Sequence, residues 1–205
     1  MLTEKYIKDI QILRGVSILL VLLFHFNIAF FNNGFLGVDV FFVISGFLMF
    51  LISSKYSTVE FYERRFKRIL PAYTSLIIIV IFLSFFLVNY LDYKNILYHS
   101  FFALFLSPNI GYWYENSYFD KDNFKPLLHL WSLGIEIQFY LLMPLLLFLY
   151  RNIKYSLIFI FFVSLFSCLI VTTVSPKTSF FLIPFRLWEF ILGGFAAFYI
   201  LNNIK

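Results

Sequence analysis

Arg14 and His25 stand eleven residues apart in RGVSILLVLLFH, inside the first apolar stretch of the chain. Eleven residues make about three turns of α-helix, so the two side chains share one face about 16 Å apart along the axis. Ser17, Ile18 and Val21 belong to the same face. Ionisable groups inside a membrane helix are expensive and mark a functional site by default. A free imidazole titrates near pH ~6.5, which suits a general base at neutral pH. The alternative is a snorkelling arginine and an interfacial histidine, each common near helix ends.

Other chemistry-bearing residues recur along the chain. Asp39 lies early in GFLGVDVFFVISGF, where it either orients a histidine or sugar hydroxyl or complements a helix N-terminus. Arg64, Arg65, Lys67 and Arg68 in YERRFKRILPAY precede Pro71, which is read as the start of a span. They are either topology-setting charge or a phosphate clamp for a phosphorylated cytoplasmic donor, with Arg65 and Arg68 one turn apart if helical. In HLWSLGIEIQFY the helical spacing puts His129, Glu136 and Tyr140 on one face, flanked by Ser132. A buried Glu136 needs a partner, either in a polar cavity shared with the first span or in an ion pair with Arg14 or Arg186. Arg186 and Glu189 in FRLWEF are one turn apart and able to pair. Gly37, Gly46, Gly193, Gly194, Ala196 and Ala197 allow close helix approach. His99 reads as an interfacial tip without a role. No metal is expected, because the three histidines lie in different segments without zinc-type spacing. Neither a nucleophile elbow nor a phosphate-binding glycine loop is present.

The elements that position these residues are membrane helices. The chain has 205 residues, 61% apolar and 13% charged, with apolar runs of spanning length throughout. The reading is all-α, a polytopic transmembrane bundle and a single domain over 1–205. Spans are placed at 10–31, 35–53, 70–90, 127–150, 155–174 and 184–202. A seventh apolar piece, 98–106, is too short to cross; it lies at the interface and ends in a turn at Ser107, Pro108 and Asn109. The first run is a retained span, too long for a signal peptide and lacking a cleavage site. Lys5, Lys8, Lys55, Arg64, Arg65, Lys67, Arg68, Arg151, Lys154 and Lys205 then share one side, against Lys94, Lys121, Lys125 and Lys177 on the other. That asymmetry makes both termini cytoplasmic and argues against nucleic acid as partner of the net +5 charge. The segment 107–126, with Asp120 and Asp122, is an outer loop suited to carbohydrate contact or serving as a solvated connector. Cys168 is the one cysteine and reads as a packing residue.

The run from Ile10 to Phe50, the basic residues before Pro71, HLWSLGIEIQFY and RLWEF together resemble acyltransferase family 3. That group includes O-antigen and peptidoglycan O-acetyltransferases of bacterial envelopes. Arg14 and His25 match its first-span pair, and Arg65 and Arg68 its paired arginines. Gly134 and Ile137 depart from the family's serine and second glutamate, whereas Glu136 is retained. The resemblance implies a plasma-membrane enzyme moving an acyl group, commonly acetyl, from cytoplasmic acyl-coenzyme A to a hydroxyl of an envelope carbohydrate. On that reading Arg65, Arg68 and Arg14 hold the donor, and His25 is the base. Asp39 or Glu136 orients its imidazole. His129, Trp131, Ser132, Tyr140, Arg186 and Glu189 line the substrate path. The resemblance also implies that the family's C-terminal spans are missing here, as in a fragment, a truncated gene product or a subunit whose partner or oligomer supplies them. Two other readings are a transporter or flippase for a sugar or acyl-lipid, and an inactive remnant.

Overall fold

The computed structural model describes the backbone of residues 4–53, 58–115 and 124–203, and the side chains of 8–53, 59–115 and 124–202. Lys55, Asp120, Lys121, Asp122 and Lys205, and the side chain of Lys5, lie outside them. Among the described residues the chain is helical and contains no strand. The α-helices are α1 (Glu4–His25), α2 (Leu36–Ser53), α3 (Thr58–Leu87), α4 (Tyr90–Leu104), α5 (Pro108–Tyr114), α6 (Leu130–Asn152), α7 (Ser156–Val174), α8 (Pro176–Phe181) and α9 (Leu187–Asn203). A 3-10 turn at Ile183–Phe185 precedes α9. Leu36–Ser53, Val59–Leu87, Leu130–Asn152 and Ser156–Val174 are long and apolar enough to cross a membrane. α1 has the length but carries Lys8, Asp9 and Arg14, and α9 is apolar and shorter. This is an all-α membrane protein.

Two compact units form. One holds residues 1–55 and 188–205, the other 56–187. In the first unit α1 and α2 make an antiparallel hairpin. A Cβ at Gly37 would overlap the Ser17 carbonyl, and one at Gly34 the Leu20 carbonyl, so glycine lets the backbones touch. α9 meets α2 the same way: Gly46 abuts the Phe190 carbonyl and Gly193 the Val43 carbonyl. Phe42 and Phe190 stack beside this seam at 4.8 Å. Ala197 is buried with it, while Ala196 faces outward.

The first span was expected to run to residue 31, but α1 stops at His25. Asn27 turns left-handed (φ 52°), donating its N–H to Phe24, while Ile28 donates to Leu23. This paired reversal caps a helix C-terminus, and asparagine tolerates the left-handed position.

In the second unit, Pro71 does not begin a span. α3 starts at Thr58 and runs through it, making the basic stretch helical. A proline inside a membrane helix removes one hydrogen bond, which flanking turns accommodate. The piece expected at 98–106 is longer and begins at Tyr90, capped by the Asn89 side chain accepting from Asp92 N–H at 2.9 Å. The turn expected at Ser107–Asn109 instead opens α5, with Pro108 in its first turn. Asn109 and Tyr112 are wholly buried. Asn109 exchanges amide hydrogen bonds with Gln138 (2.9 and 3.3 Å) and donates to the Phe181 carbonyl at 3.0 Å, tying α5, α6 and α8. Gly134 faces this knot: a Cβ there would lie 2.7 Å from Asn109 Oδ1. That contact gives the departure from serine a physical reason.

His99 is not an exposed tip. It is buried, stacked on Tyr112 at 4.0 Å, with Nε2 3.3 Å from the Glu115 carboxylate. Lys125 pairs with the same carboxylate at 3.1 Å, and Lys177 donates to the Glu115 carbonyl. Sequence reading missed this because Glu115, Lys125 and Lys177 come from three separate segments. Burial lowers the His99 pKa, Glu115 pulls it back up and Lys125 opposes it, leaving it below the usual value. A histidine depressed in the fold contributes stability above its unfolded pKa of about 6.5 and loses it as pH falls toward the folded value. Thermal unfolding in detergent should therefore show stability declining on acidification below about pH 6.5. His99→Gln should flatten that slope; an unchanged slope would contradict the assignment.

Candidate active site

The first unit places Arg14 and His25 on one unbroken helix. At about 100° per residue, their stripe lies about 80° from the centre of the face formed by Ser17, Leu20, Val21 and Phe24, which borders α2 and the turn before it. The Arg14 guanidinium lies 5.1 Å over the Phe41 ring of α2, a cation–π seat. His25 is exposed, at the last helical position. Its Nδ1 donates to the Val21 carbonyl at 2.8 Å, and its ring meets Phe24 edge-on at 5.4 Å. A carbonyl only accepts, so Nδ1 carries the proton and Nε2 of the neutral ring presents a lone pair. Asp39 or Glu136 was expected to orient this ring; the hydrogen bond the ring makes is to the Val21 carbonyl. Gly37 and Phe41 make the α2 face toward α1, and Asp39 falls about 180° away.

The second unit gathers Arg65, Glu136 and Tyr140. Glu136 is buried and accepts a hydrogen bond from the Tyr140 hydroxyl one turn on. The Arg65 guanidinium lies 5.8 Å from the centre of the Tyr140 ring. A carboxylate, a phenol and a guanidinium are thus stacked in one column. Arg68, three residues on, is exposed.

Tyr62, which sequence reading passed over, holds this column in place. Its hydroxyl reaches the Tyr140 carbonyl at 3.2 Å and the Leu141 carbonyl at 3.4 Å. Pro144 lies inside α6 and has no N–H to give the carbonyl four residues back, which is that of Tyr140. Tyr62 supplies the missing donor from α3, one turn below Arg65. The pattern YERR shows the tyrosine, but its partner exists only once Pro144 is in a helix. Tyr62→Phe should cost about 1–3 kcal/mol in unfolding free energy by orphaning that carbonyl. Pro144→Ala restores an N–H donor, so in its background the same change should cost little. Equal costs in both backgrounds would refute the pairing.

The other expected substrate contacts are placed as follows. His129 is exposed just before α6, and Ser132 Oγ donates to its carbonyl at 3.2 Å. His129 therefore precedes the helix that carries Glu136 and Tyr140. Trp131 is buried against Phe180 at 4.2 Å and Phe181 at 5.6 Å. Arg186 donates to the Phe180 carbonyl at 3.3 Å and covers the Phe180 ring at 5.1 Å. Glu189 is fully buried in the first turn of α9. Among the described residues no group of three or more His, Cys, Asp or Glu side chains is arranged to hold a metal.

The chain is 35% identical over 218 aligned residues to the O-acetyltransferase OatA of Staphylococcus aureus, covering 97% of this chain and 35% of the relative. It is 36% identical over 152 residues to the peptidoglycan O-acetyltransferase OatA of Listeria monocytogenes, covering 69% of this chain and 24% of the relative. The chain thus spans about a third or less of the length of these curated relatives. No solved structure matches it. Residues 7–205 match the family described as an acyltransferase domain, and the chain therefore belongs to acyltransferase family 3.

Proposed function

We propose that this chain performs O-acyl transfer in the plasma membrane, moving an acyl group, most simply acetyl, from acyl-coenzyme A to a hydroxyl of a cell-envelope carbohydrate. The observation that carries the reading is the His25 ring contact: Nδ1 lies 2.8 Å from the Val21 carbonyl, a partner that can only accept, which assigns the acceptor role to Nε2. The printed names of the relatives, O-acetyltransferase and peptidoglycan O-acetyltransferase, support the reaction and the acceptor class. The charge asymmetry between loops supports cytoplasmic termini and a donor arriving from that side.

In this reading Nε2 of His25 takes the proton of the acceptor hydroxyl as its oxygen attacks the thioester carbonyl. The new C–O bond forms, the C–S bond breaks, and the imidazolium returns the proton to the departing thiolate. Val21 stabilises the charged ring through the Nδ1 hydrogen bond. Arg65 and Arg68 grip the donor phosphates, with Arg14 as a further anion partner. Glu136 acts through Tyr140, fixing the ring over which Arg65 is held.

The test is labelled acetyl-coenzyme A supplied to the full chain in proteoliposomes, following coenzyme A release and label transfer to a glycan acceptor. Arg65→Gln should raise the donor KM about tenfold, with kcat less affected, because a charge-assisted phosphate contact is lost. Absence of coenzyme A release, together with downhill movement of a sugar substrate, would replace this reading with a transporter.

A further inference from the structure

The end of α3 remote from its cations carries a second set of polar groups. Leu83 and Ser84 of that helix, Asn89 and Asp92 at the start of α4, and Phe124 and Pro126 line a cavity of about 510 Å³. That volume is in the ordinary range for a small-molecule pocket. Ser84 is only 5% exposed, and its hydroxyl has no hydrogen-bond partner among the described residues. Ser17 and Thr74, by contrast, donate to carbonyls of their own helices, whereas Ser100 and Ser156 are buried without a partner among the described residues. A serine hydroxyl that borders a cavity can both donate and accept a hydrogen bond with a molecule held there.

The other lining groups limit what that molecule is. Asp92 accepts from Asn89 Nδ2 at 2.7 Å, and its carboxylate has no ion-pair partner among the described residues. Its remaining acceptor capacity suits hydroxyl donors, and its charge disfavours a phosphate. Phe124 exposes 56% of its surface, offering an aromatic face to the C–H side of a sugar ring. The apolar wall, which includes Leu83, suits a small apolar substituent. Position agrees with composition: nineteen residues of α3 separate Arg65 from Ser84, about 28 Å of helix. That is close to the ~30 Å hydrocarbon core of a bilayer. The cations and the cavity therefore belong to opposite faces of the membrane.

We propose that this cavity binds a neutral carbohydrate ring, as the acceptor subsite on the face opposite the cationic cluster. The proposal rests on the acceptor class given under Proposed function. It is tested on the full chain in lipid nanodiscs with a diazirine-bearing β-1,4-linked N-acetylglucosamine tetrasaccharide. Saturable photolabelling is expected in peptides containing residues 80–92 or 124–126, competed by the unlabelled tetrasaccharide. Ser84→Leu, which fills the cavity, should weaken labelling about tenfold or more, and Ser84→Ala and Asp92→Asn about fivefold each. Ser84→Ala is small enough to keep the fold if the leucine variant fails to assemble. Labelling that does not saturate, maps elsewhere, survives all three variants or is competed only by phospholipid would overturn the proposal. Acetyl transfer to the same tetrasaccharide is followed in parallel. Transfer without cavity labelling sinks the subsite alone; cavity labelling without coenzyme A release sinks the transfer reading alone.

Discussion

His25→Ala is expected to lower acyl transfer by about 10²–10⁴-fold, the range that a positioned general base contributes. The residue is the last of α1, so alanine costs the helix nothing in propensity, and the capping reversal at Asn27 and Ile28 uses backbone groups only. The fold should survive and the chemistry should not. His25→Gln is the sharper companion, because glutamine can keep a hydrogen bond to the Val21 carbonyl but offers no basic nitrogen. It should be as inactive as alanine, with donor affinity close to wild type in both. A protein lacking His25 that folds and releases coenzyme A at the original rate would remove the histidine from the mechanism.

The second large effect is expected at the glycine seam. Alanine for glycine inside a helix ordinarily gains up to ~1 kcal/mol through backbone entropy and propensity. At Gly46 the sign should reverse, because the added methyl would overlap the Phe190 carbonyl, and at Gly193 it would overlap the Val43 carbonyl. Backbone has no rotamer to move aside, so the helices must separate and lose the packing that holds them, including the Phe42–Phe190 stack. A net loss of about 2–3 kcal/mol is expected for each, and more for valine. Gly15 is the internal control: it lies on α1 with nothing within 4 Å of a built Cβ. Gly15→Ala should hold or raise the melting temperature while Gly46→Ala lowers it. If both shift it the same way, α2 and α9 are not in contact through that seam.

The glycine seam and the Arg14–His25 stripe were legible in the amino-acid sequence for different reasons. Small residues at helical spacing in apolar runs have few uses besides close approach, and Gly37, Gly46 and Gly193 serve that one. The Arg14–His25 stripe follows from helix geometry alone, so it holds wherever α1 is unbroken. Spans at 35–53, 127–150 and 155–174 lie within a few residues of α2, α6 and α7, because long apolar runs carry a strong signal. Helix ends were harder. Proline at 71 and 108 reads as a boundary on local preference, yet one sits inside α3 and the other opens α5, because neighbouring turns decide which role it takes.

Chain composition, helix period and motif order by themselves determined the membrane class, the family and the cationic and basic groups on α1 and α3. Tertiary structure alone decided who holds whom. The His25 ring bonds its own helix backbone, at the Val21 carbonyl. His99 became a buried partner of Glu115 because α5 folds back along α4. Tyr62 gained a role only when Pro144 left a carbonyl without a donor. Such partners are distant in sequence, and hydrogen bonds are selected by short distances that exist only after helices pack.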